Sequence, residues 1–107
     1  MCGISGYFGS KEFSPNTSKI KKTLQIMKIR GPDGSGFYQK QLKKNIHLSL
    51  LHTRLSIIDP HPRSNQPIYD DNGILIFNGM IFNYMKIREK LKKKKLYLKQ
   101  NQIVKFY

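Results

Sequence analysis

The sequence predicts an α+β fold with a mostly antiparallel sheet. The first observation behind this prediction is the order of elements, in which a strand and a helix precede several strand-like stretches and a second helix. The second is length and composition: 107 residues, 38% of them apolar, are enough for one globular domain with a small core. The third is the continuous apolar run at residues 74–77, which is typical of a strand buried on both faces and therefore needs a second layer.

The N-terminal elements are predicted to be a strand and a helix. Residues 4–8 are short, apolar and aromatic and end at Gly9-Ser10, which indicates a buried strand. Apolar side chains then recur at helical spacing, at Ile20, Leu24 and Met27. Ser14 or Asn16 is the expected N-cap of this helix, since either side chain can accept a backbone N–H.

The predicted helix is followed by a glycine-rich loop at residues 30–36. Gly31-Pro32 is expected to stop the helix, with Gly31 just past its end. The loop has the pattern G-x-x-G-x-G, which matches neither the dinucleotide-binding fingerprint nor the P-loop. We therefore predict no nucleotide site there.

The remaining elements are shorter. Strand-like stretches follow at 37–41, 46–51, 54–58 and 74–77, with turn-rich segments before the last of them. A second helix is predicted from Tyr84, Ile87 and Leu91, which lie along one side. A weak last strand is expected at 96–98.

Charge and composition exclude several classes of protein. The net charge is +14, and residues 85–107 hold nine Lys or Arg against one acid. No aromatic RNA-binding signature or helix-turn-helix pattern accompanies this charge, so we do not expect nucleic acid as a partner. A membrane helix needs roughly 20 apolar residues, and the longest runs here reach about four, so a soluble, cytoplasmic protein is expected. The histidines and the single cysteine lack zinc-site spacing, so no metal is predicted.

Cys2 is the most informative residue for chemistry. Removal of Met1, which occurs when the second side chain is small, would give Cys2 both a thiol and a free α-amino group. An α-amine has a pKa of about 7.7–8.0, so it can accept the thiol proton and make the sulfur a nucleophile. By position alone, a small buried cysteine without a catalytic role remains the alternative.

Five segments in chain order resemble the asparagine synthetase branch of the class II glutamine amidotransferases. They are M-C-G-I-S-G at 1–6, R-G-P-D-G-S-G at 30–36, H-T-R-L-S-I-I-D at 52–59, N-Q-P at 65–67 and F-N-G-M-I-F-N-Y at 77–84. The resemblance covers nearly the whole chain. It implies a partial N-terminal-nucleophile hydrolase fold, in which two stacked sheets lie between helix layers (αββα), truncated in this chain.

The resemblance also implies a role for each site residue. Cys2 would attack the carboxamide carbon of glutamine and release ammonia. Asn78 and Gly79 would form the oxyanion hole, and Arg54 would bind the substrate carboxylate. The remaining positions of the substrate pocket would be Leu55, Ile57, Ile58 and Met80.

Two departures from the family pattern bear on activity. Met80 stands where the family has a glutamate. The family's serine-aspartate-x-glutamate stretch, whose aspartate holds the substrate ammonium, is replaced at 99–104 by residues without any acid. We therefore expect weak or absent glutamine affinity.

The resemblance places this chain at residues 1–107 in the N-terminal portion of a type 2 glutamine amidotransferase domain. The S-G-G-x-D-S pyrophosphate loop of the synthetase domain does not occur, so no cofactor is expected here, and ATP and magnesium belong to that missing domain. The leading hypothesis is the glutaminase portion of an enzyme that amidates aspartate. The alternatives are an inactive remnant packed against a partner chain and an amidotransferase of surface-polysaccharide biosynthesis.

Overall fold

The secondary structure begins with a strand and a helix, as predicted. A computed structural model describes residues 1–57 and 61–93. Strand β1 (Gly3–Ser10) leads through a 3-10 turn (Lys11–Phe13) to helix α1 (Thr17–Met27). Asn16 is the N-cap, and its side-chain oxygen accepts a hydrogen bond from the backbone N–H of Lys19 at 2.9 Å. Of the two caps that the sequence allowed, the chain uses the second.

Three strands form the main sheet, which is antiparallel throughout. After α1 come β2 (Gly34–Lys43) and β3 (Ile46–Arg54), and the order across the sheet is β1-β3-β2. In register, Thr53 lies opposite Gly3 of β1 and Ser35 of β2. The central strand therefore joins the start of the chain to the end of the glycine-rich loop, and the predicted α+β class is confirmed.

The C-terminal part contains a small hairpin and a second helix. A 3-10 turn (Pro62–Ser64) precedes β4 (Ile68–Tyr69), which pairs with β5 (Ile74–Leu75) in a separate two-stranded sheet. Helix α2 (Tyr84–Lys93) follows. The predicted strand at 96–98 lies outside the described residues. No helix in the described ranges is long and apolar enough to cross a membrane.

The two strands predicted at 46–51 and 54–58 were wrong as separate elements. Residues 46–54 form the single strand β3, because its polar residues His52 and Thr53 still pair with neighbours on both sides. Residues 55–57 are not in a strand, and Ile58 lies outside the described residues.

The predicted burial of the apolar run at 74–77 on both faces was also wrong. Only Ile74–Leu75 are in a strand, and all four residues are half-buried. The physical reason is that, among the described residues, β5 pairs with one strand, β4, so its other edge has no strand partner there.

Gly31 serves close packing, which differs from its expected role as a helix stop. Helix α1 ends at Met27, and Gly31 lies buried against the end of β3. A Cβ at Gly31 would lie 2.5 Å from the backbone nitrogen of Arg54, so only glycine permits this approach.

The core lies between α1 and one face of the main sheet. Ile20 of α1 and Leu51 of β3 are 1% and 4% exposed and are the buried apolar side chains of the described residues. Thr53 faces the same helix and donates to the carbonyl of Met27 at 3.0 Å. Gln39 of β2 donates to the carbonyl of Pro15, just ahead of the helix, at 2.9 Å. These contacts fix α1 on this face.

The opposite face of the main sheet is only partly covered. Tyr38 of β2 contacts Tyr69 of β4, with ring centroids 5.1 Å apart, so the hairpin lies over the β2 side. On the β1 side, Ile4 and Phe8 remain 50% and 69% exposed, so the predicted burial of the strand at residues 4–8 was wrong. An uncovered apolar strand face of this kind favours aggregation.

Replacing Ile20 with alanine tests whether α1 is held by this core. We expect Ile20→Ala to lower the free energy of unfolding by about 2–4 kcal/mol, because it leaves a cavity between helix and sheet. Ile26→Ala in the same helix is the control, since Ile26 is 63% exposed, and its cost should stay near 0.5 kcal/mol. Urea unfolding followed by circular dichroism measures both values. Equal losses in the two variants would contradict the described packing of α1.

Candidate active site around Cys2

The pairing of β1 with β3 places Cys2 beside Leu55. Because Gly3 lies opposite Thr53, the residue before β1 meets the residues after β3. The backbone N–H of Leu55 lies 3.4 Å from Cys2 Sγ, and the thiol lies 3.9 Å from the Leu55 carbonyl, toward which it can donate. Cys2 is half-buried. The sulfur is therefore held on a fixed piece of backbone while part of the residue stays accessible.

The glycine-rich loop packs against the same backbone. The N–H of Asp33 donates to the carbonyl of Arg54 at 2.9 Å, and the Asp33 carboxylate accepts from the N–H of Ser56 at 2.7 Å. Arg30 donates through Nε to the carbonyl of Cys2 at 3.4 Å. These contacts fix residues 54–56 on both sides of the position that touches the sulfur.

Arg54 is nearly buried and directed toward the segment after the main sheet. It is 8% exposed, and its Nη1 donates to the carbonyl of His61 at 3.0 Å and to Asn65 Oδ1 at 3.3 Å. These hydrogen bonds fix the orientation of the planar guanidinium. The position predicted to bind the substrate carboxylate is thus close in sequence and in space to Leu55.

Two of the other predicted pocket residues lie on the surface, and one is not described. Ile57 and Met80 are 78% and 60% exposed. Ile58 lies outside the described residues.

Asn78 and Gly79, the predicted oxyanion donors, follow β5 and are both exposed. Within residues 1–57 and 61–93, no side-chain hydrogen bond joins Asn78 to Cys2. The preceding residue, Phe77, donates its N–H to Gln66 Oε1 at 2.5 Å, and the backbone of Gln66 lies against Gly36 of the main sheet.

His52 is a buried histidine beside this region. It is 1% exposed, and among residues 1–57 and 61–93 neither ring nitrogen makes a hydrogen bond of good geometry. Burial lowers the pKa of the imidazole below 6.5, the backbone of Phe77 opposes this shift, and the positive charge of Arg54 adds to it. The ring is therefore neutral at physiological pH.

From the sequence, no function was assigned to three residues of this region, although each lies in one of the five family-like segments. Asp33 is in the glycine-rich segment, His52 opens the motif at 52–59, and Gln66 is in N-Q-P. Their positions within these segments were the only sequence signal that they matter. The hydrogen bonds of Asp33 with Ser56 and of Gln66 with Phe77 join residues too far apart in sequence to be inferred. No group of three or more potential metal ligands occurs among the described residues.

Comparisons with known proteins give a consistent result. A family described as a glutamine amidotransferase domain matches residues 1–102. The chain is 33% identical over 108 residues to putative glutamine-hydrolyzing asparagine synthetase 2 of Methanocaldococcus jannaschii. The aligned region covers 84% of this chain and 20% of that protein. The chain is 35% identical over 99 residues to glutamine-hydrolyzing asparagine synthetase 1 of Bacillus subtilis, with coverages of 88% and 15%.

A relative with a different name matches at a similar level. Amidase chry2 of Gibberella zeae is 31% identical over 103 residues, which cover 85% of this chain and 15% of that protein. The chain thus spans between about a seventh and a fifth of the length of these relatives. No solved structure matches it significantly.

The state of His52 predicts how stability changes with pH. The unfolded chain binds a proton at this position below its usual pKa of about 6.5, whereas the folded chain resists protonation until a lower pH. The contribution of neutral His52 to the free energy of unfolding is therefore fully present above about pH 6.5. It is lost as the pH falls toward the pKa of His52 in the folded chain.

Melting temperatures at about pH 7.5 and pH 5.5 measure this loss, and the interval avoids most carboxylate titration. We expect His52→Gln to show a smaller decrease between the two pH values than the parent protein. His47→Gln removes an imidazole from the other face of β3 and is the control. A decrease in His52→Gln as large as in the parent protein would contradict the burial of a neutral ring.

Proposed function

Because the chain belongs to the glutamine amidotransferase domain family, we propose that it is the glutamine-hydrolysing part of an asparagine-synthetase-like enzyme. The observation that carries this proposal is the environment of Cys2. Its sulfur touches the backbone of Leu55 at 3.4 Å, one residue beyond the buried Arg54. A nucleophile next to a carboxylate-binding side chain suits an amino-acid substrate with a reactive carboxamide.

The proposed reaction begins once Met1 has been removed. The α-amino group of Cys2 takes the thiol proton, and the thiolate attacks the carboxamide carbon of glutamine. The C–N bond then breaks, ammonia leaves with the proton from the α-ammonium group, and a γ-glutamyl thioester remains. Water adds to the thioester and the C–S bond breaks, which releases glutamate and regenerates the Cys2 thiol.

Two hydrogen-bond donors would stabilise the negatively charged oxygen of the tetrahedral intermediates. Asn78 would donate through its side-chain amide and Gly79 through its backbone N–H. A donor of this kind typically lowers the activation free energy by about 3 kcal/mol. Both residues are exposed and so accessible to a substrate.

Arg54 and the backbone after it would position the substrate. The guanidinium would pair with the α-carboxylate, while Leu55, Ile57 and Ile58 would line the pocket. Met80 offers a thioether where the family has a carboxylate, and the missing acid at 99–104 removes the expected partner of the substrate ammonium. The loss of such a charged hydrogen bond costs about 1.5–3 kcal/mol, so we expect a high KM for glutamine.

The hydrolytic step needs no cofactor, and glutamine is its proposed substrate. In the whole enzyme the ammonia would be used for ATP-dependent amidation of aspartate, with magnesium and ATP in a synthetase domain. The pyrophosphate loop of such a domain is not among the 107 residues.

A second candidate function is non-catalytic packing against a partner chain. Two observations favour it, namely Met80 at the acidic position and the exposed apolar residues Ile4 and Phe8 of β1. A partner would bury these side chains, and each fully buried side chain contributes about 1.5–3 kcal/mol.

The intact mass of the purified chain, measured before and after exposure to a glutamine-mimicking diazoketone, separates the two functions. The starting mass reports whether Met1 is absent. If the proposal is right, one adduct forms on the parent protein, excess glutamine slows its formation, and Cys2→Ala abolishes it. Hydrolysis of glutamine is then assayed by release of ammonia.

Arg54→Lys tests the substrate pocket separately from the nucleophile. We expect slower labelling by the diazoketone in this variant, because an ammonium cannot replace a bidentate guanidinium. Alkylation by iodoacetamide, which needs no glutamine pocket, should keep the parent rate. A folded chain without Met1 that forms no adduct with the diazoketone would instead support the packing function.

A further inference from the structure

The segment that carries Asn78 and Gly79 leaves the hairpin immediately before them. Strand β5 ends at Leu75, and residues 76–78 are in no strand. In place of strand pairing, the N–H of Phe77 donates to the side chain of Gln66 at 2.5 Å. Gln66 is 8% exposed and Phe77 is half-buried, so this hydrogen bond is partly shielded from water.

We propose that Gln66 is a positioning residue, which sets where the Asn78–Gly79 donors lie relative to the sheet that carries Cys2. This inference rests on the proposed glutamine hydrolysis. It assigns to Gln66 a role that acts through Phe77 and involves no contact with the substrate.

The backbone of Gln66 is itself fixed to the main sheet. Gly36 of β2 has no side chain, and a Cβ there would collide with the carbonyl oxygen of Gln66 and lie 3.3 Å from the Pro67 ring. Glycine at this position therefore allows the 66–67 backbone to lie directly against β2. The contact between Tyr38 and Tyr69 holds the following strand on the same side.

The contacts form a continuous path between the proposed nucleophile and the proposed donors. Gly36 lies opposite His52 in β3, and His52 lies opposite Ile4 in β1, two residues after Cys2. From Gly36 the path continues through Gln66 to the N–H of Phe77, one residue before Asn78. A shift of Gln66 would therefore move the donors relative to the sulfur.

The chemistry of the position requires an acceptor. A fully buried backbone N–H that loses its partner costs about 1–3 kcal/mol. The half-buried Phe77 N–H would keep part of that cost, so we expect the segment to shift when the Gln66 acceptor is removed. His52 lies beside the Phe77 backbone and is buried, and its ring nitrogens make no well-aligned hydrogen bond within the described part of the chain. The observed acceptor for the Phe77 N–H is the Gln66 amide oxygen.

Three variants separate positioning from general packing. Gln66→Met keeps nearly the same volume and removes the acceptor, whereas Gln66→Glu keeps an acceptor. Gln39→Met makes the same chemical change on the α1 side of the sheet, where Gln39 bonds to Ser49 and Pro15.

The first measurement is kinetic. In Gln66→Met we expect kcat for glutamine hydrolysis to fall about 10- to 100-fold, less than the 10²–10³ typical of losing an oxyanion donor. KM should change less than about threefold, and alkylation of Cys2 by iodoacetamide should keep the parent rate. Gln66→Glu should restore a substantial part of kcat, and Gln39→Met should retain the parent kcat. Equal kcat in Gln66→Met and Gln39→Met would overturn the inference.

The second measurement does not depend on activity. Amide hydrogen exchange, resolved by NMR, should show at least tenfold faster exchange of the Phe77 N–H in Gln66→Met, with chemical-shift changes at Asn78 and Gly79. Gln39→Met should leave these signals unchanged. Unchanged exchange and shifts in Gln66→Met would overturn the positioning role even if the parent protein hydrolyses glutamine. Suppose that Gln66→Met shows the faster exchange but the parent protein neither hydrolyses glutamine nor is labelled by the diazoketone. That result would refute the proposed function and leave the positioning role of Gln66 intact.

Discussion

The pairing of β3 with both of its neighbours is the constraint on which the rest of the structure depends. It sets Thr53 opposite Gly3 and Ser35, and so brings the start of the chain and the glycine-rich loop to the same end of the sheet. The contact of Cys2 with Leu55 follows directly from this register. A slip of one residue would turn every β3 side chain to the other face, moving Thr53 away from α1.

More of the buried side chains in the described part of the chain are polar than apolar, and their hydrogen bonds form only in this strand register. Apart from Ile20 and Leu51, the buried side chains of the described residues are polar or charged. Thr53 and Arg54 donate to backbone carbonyls, and Gln66 accepts from a backbone N–H. Each of these groups would lose its partner in another register, and a buried unsatisfied polar group costs about 1–3 kcal/mol. Hydrogen-bond geometry therefore specifies the arrangement that a small apolar core could not specify alone.

The sequence predicted the type of most elements and the family correctly. Helical spacing at Ile20 located α1, and the motifs that contain Cys2 and Asn78 identified the glutamine amidotransferase family that the comparisons show. Predictions failed where a segment's state depends on its neighbours in space. Residues 46–54 form one strand because both of its edges are paired. The run at 74–77 is only half-buried, and β5 pairs with one strand in the described part of the chain.

What the sequence determined by itself was the set of chemical groups: a cysteine at position 2, a guanidinium at Arg54, and an amide and a glycine at 78–79. These are properties of residue type and local order, which periodicity and motif spacing report. The tertiary structure alone decided which groups meet. Asp33 reaches Ser56 and Gln66 reaches Phe77 across 23 and 11 residues of chain. Such contacts arise from sheet register and from the close approach that glycine permits, and neither has a local sequence signal.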